Sequence, residues 1–394
     1  MSATQQLMPT DSARAEAICH GIVVRDPTQP NTAASAQAAC HAVLAQLGAL
    51  SIAPQVIAHS GLDEQGAWLR LQLMPSALEK WAPGLDTLNL CQALALDTNQ
   101  RPADLRQEII VAMLMGPVAF EFPSVEELVS AVRIRQYIVE GGRKTTLSFH
   151  TSQAERPEDC WTYHPDRGFT LLPDADIITA LTKATQPEVS GSLYSFSCYR
   201  ATEYVTLLGI AQELAQSNPT LLGQLQTFWS QRAIQSGEFH EVFLREQGSM
   251  EAPLPPRYFV PGDRTWFRNP DEASSNASGY EGSWVIYLGG DLFTNFWKQG
   301  QPYTLVSKCV EIYHWRNAVY FDAQGDERVD EAKVDAMVAA SLADPAEVTR
   351  IMAVMTRYRE PRGVYTDAGG CIDTTREFAR WVRPDTADLN LPPE

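Results

Sequence analysis

The sequence predicts an α+β protein, with a small N-terminal α/β module ahead of a larger unit that mixes helices and short strands. Three observations predict it. The chain has 394 residues, 44% of them hydrophobic and 20% charged, enough for one large core and a smaller one. The first hundred residues read as a helix followed by two strands around a glycine-bounded turn. Further on, a strongly periodic helix at 199–216 is followed by short strands.

Residues 1–31 read as a loose leader with a short strand at 21–24. An Ala-rich helix follows at 32–47, then strands at 51–59 and 68–73 with a turn at 61–66. A helix at 76–81 stops at Pro83-Gly84, and the polar segment 97–104 closes this module, placing the division at residue 100.

The second unit, 101–360, opens with a helix at 105–115 and a clearer one at 124–139. Ser124 can cap the second, with Glu126 and Glu127 in its first turn. Strands at 160–163 and 168–172 bracket His164-Pro165-Asp166-Arg167 as a hairpin, and 176–185 reads as a helix. In 199–216, Val205, Leu208, Ala211 and Leu214 recur at helical spacing, and Ser195 or Ser197 can cap the start. Strands follow at 258–260, 265–267 and 283–288, the last ended by Gly289-Gly290-Asp291. The pattern at 305–315 is weaker. Helices are expected at 329–342 and 345–357, and residues 361–394 form a polar, Pro-rich tail that is extended or frayed.

Composition excludes some classes of function. A net charge of -17 repels phosphate backbones and anionic lipid, so neither nucleic acid nor membrane is expected as a partner. The N-terminus has no apolar run of a signal peptide, and the apolar stretch 109–122 is too short to span a bilayer, which predicts a cytoplasmic protein. Seven scattered cysteines without a C-x-x-C pair predict neither a disulfide framework nor structural zinc. Cys19-His20 and Cys40-His41 lack a ligand spacing, and no nucleotide-binding fingerprint occurs, so no metal or cofactor is expected.

Cys198 stands at the head of the helix at 199–216. A helix N-terminus stabilises a thiolate, and its unpaired N–H groups can hold the oxyanion of an acyl-transfer intermediate. Papain-like enzymes use a cysteine in this way, with a base delivered from a later strand. The bland alternative is a packed cysteine, since Cys is among the most buried residue types.

Residues from about 108 to 353 resemble the spore-coat type of bacterial transglutaminase, the protein-glutamine gamma-glutamyltransferases with a compact papain-like (NlpC/P60-related) fold. The likeness is carried by Pro117-Val118-Ala119-Phe120-Glu121-Phe122, by the hairpin at 161–172, and by Leu193-Tyr194-Ser195-Phe196-Ser197-Cys198. Gly262-Asp263, Phe267-Arg268-Asn269-Pro270 and Val285-Ile286-Tyr287-Leu288-Gly289 with Asp291 continue it in order. The chain reads as a divergent member with an extra N-terminal region.

The resemblance implies Cys198 as the nucleophile. It also implies a glutamate before the cysteine, a glutamate at the start of the later strand and a histidine after the Leu-Gly turn. Ser197, Ser283 and Asn295 or Phe296 stand there instead. Glu281, two residues before Ser283, is the candidate replacement carboxylate, and His240 or His314 the candidate base. Each has an ordinary structural alternative, a solvated acid or a satisfied histidine. Glu203 falls off the cysteine's face and is expected in solvent. Tyr280, Trp284, Phe293, Phe296 and Trp297 form either core or the wall of a tunnel beside the thiol.

The expected function is a transglutaminase-like cysteine acyltransferase that forms an amide (isopeptide) bond through a Cys198 acyl-enzyme, with protein glutamine and lysine side chains as substrates. The alternatives are an inactive binding module on the same fold, and an amide synthase taking an acyl thioester from a carrier, where a thiolate leaving group tolerates a weakened base.

Overall fold

The computed structural model describes residues 19–25, 33–149, 154–166, 168–234, 236–359 and 369–391. The leader at 1–18, the stretch 26–32, Arg167 of the expected hairpin turn and the start and extreme end of the tail lie outside them. The chain divides into two compact units, the first running through Val132 and the second from Arg133.

The first unit is built on a four-stranded sheet in the order β2–β3–β1–β4. Its strands are β1 (Ile22–Arg25), β2 (Val56–Asp63), β3 (Gly66–Leu73) and β4 (Phe120–Phe122). β1 pairs antiparallel with β3, Ile22 opposite Leu71, and parallel with β4, Ile22 opposite Phe120. Helix α1 (Ala33–Gln46) packs on β2, and α2 (Pro102–Leu114) opens with Pro102, whose missing N–H costs nothing in the first turn. Residues Ile109–Met115 are fully buried. The sheet thus takes its fourth strand from beyond the polar segment near residue 100. Of the strand expected at 51–59, residues 51–55 lie instead in a 3₁₀ turn around Pro54, which has no N–H to give a ladder.

Helix α3 (Val125–Lys144) leads from the first unit into the second and starts where Ser124 Oγ accepts the Glu127 N–H at 3.1 Å. In the second unit, β5 (Ser148–Phe149) pairs with β8 (Ser195–Phe196), and β6 (Trp161–His164) forms the expected hairpin with β7 (Gly168–Leu171). Helix α4 (Ile177–Thr185) is capped by Asp176, whose carboxylate accepts from Thr179 N at 2.8 Å. The central helix α5 (Cys198–Ser217) packs against α4 and against α6 (Pro219–Gln231).

A five-stranded sheet, β12–β11–β10–β15–β9, faces α5. It comprises β9 (Leu244–Gln247), β10 (Arg264–Arg268), β11 (Gly282–Gly289), β12 (Leu292–Phe293) and β15 (Arg376–Ala379). The polar tail therefore supplies an interior strand: β15 pairs with β9, Glu377 opposite Glu246, and with β10, Glu377 opposite Arg264. Helix α7 (Ser236–Phe243) precedes β9. Beyond the sheet lie α8 (Leu305–Trp315), a hairpin of β13 (Val319–Phe321) and β14 (Glu327–Val329), α9 (Glu331–Leu342) and α10 (Pro345–Met355). Gly262 sits at φ 89°, a backbone only glycine adopts freely, and a Cβ there would lie 3.0 Å from Arg135 Cα. That turn delivers Asp263 to Arg135 at 2.7 Å, both side chains buried. No helix of the described residues is long and apolar enough to cross a membrane.

Candidate active site

Cys198 is the first residue of α5. Ser197 caps the helix in extended conformation, its hydroxyl accepting the Arg200 N–H at 3.3 Å. The serine that stands where the resemblance implies a glutamate thus has a local role, setting where the helix begins. The helix behind the cysteine is buried almost all round, from Ala201 to Ala211. Glu203, expected in solvent, is buried and pairs with Arg200 at 2.8 Å. Helical spacing alone does not show what covers that side of the helix.

The sulfur meets β11 at an open edge. β12 pairs with β11 at Tyr287 and Gly289, so among the described residues no strand covers that edge near Trp284. There the backbone N–H of Trp284 donates to the Cys198 sulfur, as does the N–H of Tyr199. Burial pushes the thiol up from its ordinary value, while these two N–H groups and the charges of Lys308 and Arg264 pull it back in part. Two N–H donors at a sulfur are also the arrangement that can hold a carbonyl oxygen once charge develops on it.

Cys198 lies on the wall of a cavity of about 110 Å³. Phe149, Tyr280, Trp297, Tyr303 and Trp315 give it aromatic sides. Gly282 and Ser283 bring β11 to it, and α8 and α9 contribute Lys308, Glu311, Glu331 and Asp335. Its charges are paired: Lys308 with Glu311 at 2.9 Å and Lys298 with Asp335 at 2.7 Å, while Tyr280 Oη donates to Glu331 at 3.0 Å. Lys308 Nζ also sits 4.1 Å from the Tyr303 ring centroid.

Ser283, at the position of the implied strand glutamate, is buried and lines this cavity. Glu281 precedes the strand, is exposed and does not line it. Asn295 donates its side-chain amide to Gln301 O at 3.0 Å, Phe296 is core, and the next residue, Trp297, reaches the cavity. Of the aromatic group read from sequence, Tyr280 and Trp297 line the cavity, whereas Trp284, Phe293 and Phe296 pack elsewhere.

His240 lies on α7 with Nδ1 2.9 Å from Glu377 Oε1, and it does not line the cavity either. Glu377 in turn pairs with Arg264, whose Nε donates to Thr202 Oγ1 at 2.8 Å. The Arg264 guanidinium stacks 3.7 Å from the Trp284 ring centroid and 4.5 Å from that of Tyr199. Strand alternation turns Trp284 to the opposite face from Ser283, so this chain of charges borders the cysteine from the other side of β11. His314 is buried against Ser341 Oγ at 2.7 Å, and burial lowers its affinity for a proton. The sequence reading missed Lys308 and Glu311. Their one available signal is a lysine and a glutamate three apart in an otherwise apolar helix, a spacing far more common on solvated faces.

Residues 88–391 match the family model described as protein-glutamine gamma-glutamyltransferase. The chain belongs to that family, the transglutaminases, and has a transglutaminase-type fold of mixed helices and sheets. Among solved structures, a transglutaminase from Geobacillus stearothermophilus, without its C-terminal extension, aligns at 17% identity over 55% of this chain and 98% of its own, with a TM-score of 0.37. No curated protein matches the chain.

Proposed function

We propose that the protein is a cysteine acyltransferase in which Cys198 attacks a carboxamide, forms a thioester and passes the acyl group to a primary amine, joining protein glutamine and lysine side chains by an isopeptide bond. The observation that carries the reading is Cys198 at the head of a buried helix, its sulfur met by the Trp284 N–H, on the wall of an aromatic cavity. In the first half-reaction an S–C bond forms, the C–N bond breaks and nitrogen leaves as ammonia. In the second, the amine nitrogen bonds to the carbonyl carbon, the S–C bond breaks, and the proton the amine gives up restores the thiol. The helix start and the Trp284 N–H are suited to the oxyanion of both steps. A cysteine-headed helix packed on later strands supports a papain-like core, and the aromatic walls suit the alkyl stem of a lysine. Transfer is assigned to Cys198, and no proton is routed through Glu281 or His240.

The test is incorporation of a fluorescent primary alkylamine into a glutamine-rich acceptor protein. The wild type is expected to label it and Cys198→Ala to lose labelling by at least a hundred-fold, on the order of a removed nucleophile. Equal labelling by both proteins would overturn the assignment. Labelling only when an acyl thioester replaces glutamine as donor would move the substrate class and keep the nucleophile.

A further inference from the structure

The residues that the family resemblance leads one to expect beside the cysteine are absent at Ser197 and Ser283, yet the cavity that holds Cys198 contains a buried cation. Lys308 is 2% exposed, on α8. Burying an ammonium is costly unless it is paired, and a lysine that only supported the fold would be cheaper as a hydrophobic residue of the same length. Its Nζ is held by Glu311 Oε2 at 2.9 Å and by the Tyr303 ring, and Tyr303 Oη donates to the other oxygen of the same carboxylate at 3.1 Å. One carboxylate thus fixes both a cation and a phenol at the wall shared with Cys198.

We propose that Lys308 is the charge partner of Cys198, its ammonium balancing the negative charge on the sulfur, with Glu311 as the positioning residue that holds it. The proposal rests on the reading of Cys198 as the nucleophile. In acyl-enzyme formation the S–H bond breaks, sulfur bonds to the carbonyl carbon, and the thiol proton departs on nitrogen as ammonia. Lys308 neither gains nor loses a proton; it lowers the energy of the anion on the way.

The surrounding charges support the assignment. Across the cavity Lys298 is matched by Asp335, and Glu331 accepts the Tyr280 hydroxyl. On the opposite side of β11, Arg264 is matched by the buried Glu377 and stacks on the ring of Tyr199, the neighbour of Cys198. Glu311 is thus the anion whose removal would leave Lys308 acting on the sulfur alone.

The test measures the rate of Cys198 alkylation by iodoacetamide against pH in the full chain, followed by peptide mass spectrometry. Lys308→Met is expected to move the rise in rate to higher pH and to slow labelling at pH 8 about ten-fold, the equivalent of one pKa unit. Glu311→Gln is expected to do the reverse, moving the rise to lower pH and speeding labelling. A residue that merely supported the fold would not shift the two variants in opposite directions. An unchanged profile in Lys308→Met would overturn the proposal. Should that variant not fold, Glu311→Gln decides alone, since a profile that is unchanged or moved to higher pH would overturn it equally. Alkylation needs no acyl substrate, so a protein that never labels glutamine can still pass or fail this test separately.

Discussion

Arg264 stacks 3.7 Å from the ring centroid of Trp284, the residue whose own N–H meets the Cys198 sulfur. The arginine is 1% exposed, pairs with the buried Glu377 and donates to Thr202. Arg264→Met leaves that buried carboxylate only His240 as a charged partner. The expected cost is about 3–5 kcal/mol, the range for breaking a buried pair from one side. Urea denaturation measures it. Removing both charges, Arg264→Met with Glu377→Gln, should recover part of the loss; a double variant less stable than the single would contradict this account.

The same Glu377 gives stability a pH dependence. Its hydrogen bond raises the His240 imidazole above the ordinary 6.5. That stabilisation is complete below pH 6.5 and is lost as pH rises through the folded value. For Glu377, burial works against ionisation, but the His240 hydrogen bond and the Arg264 charge outweigh it and hold the carboxyl below its ordinary 4.5. Its contribution is present above pH 4.5 and is lost as pH falls through the folded value. Melting temperature is therefore expected to peak between the two and to fall as pH rises above 6.5. His240→Gln should flatten that neutral limb and weaken the acid limb, which then rests on Arg264. His240 is half-exposed, so the slope is shallow, and identical slopes in both proteins would rule out the pair as its source.

Burial predicts which thiols react. Cys19, Cys40, Cys160, Cys309 and Cys371 are buried, whereas Cys91 and Cys198 are half-buried. Brief alkylation of the native protein followed by peptide mapping should mark Cys91 and Cys198, and all seven cysteines only in denaturant. Cys198 should label faster as pH rises, because burial has pushed its thiol up. Native labelling at Cys309 or Cys371, whose sulfurs lie 3.5 Å apart in the interior, would contradict the packing of α8.

Gly282 brings β11 to the cavity at a point where a side chain does not fit. A Cβ there would lie 2.2 Å from Trp266 Nε1 and 2.6 Å from Phe267 O. Gly282→Ala is expected to cost about 1–3 kcal/mol by overpacking and to lower amine incorporation. Gly223→Ala is the control: it lies inside α6 with nothing within 4 Å of the new Cβ, and should be neutral or stabilising. A Gly282→Ala protein as stable and active as wild type would show that β11 yields at this point.

What could be read from sequence follows the range of the forces involved. Ser124, and Ser195 or Ser197, were legible as caps because a cap is a bond to an N–H three residues away, and the structure uses Ser124 and Ser197. Cys198 at a helix start was legible for the same reason. β15 was not, because its ladder partners lie at Arg264 and at 244–247, more than a hundred residues upstream, and its own residues carry no apolar alternation. Lys308 and Glu311 were hidden differently: spacing puts them on one helical face but does not say that the face looks into the cavity holding Cys198. Glu281 was chosen on strand alternation, which fails because β11 begins one residue too late, at Gly282.

The placement of β15 between β9 and β10 has a consequence for the order of events during synthesis. Chain elongation delivers β10 and β11 as a hairpin, with the Trp284 edge ready for α5 but the other edge of Arg264 bare. Glu377 and its neighbours emerge more than a hundred residues later. Until then the arginine charge has no carboxylate from that strand and the sheet offers an unpaired flank to other chains. The strand that seals this flank thus leaves the ribosome well after the strands it joins, and the nascent protein carries a risk of misassembly there until β15 docks.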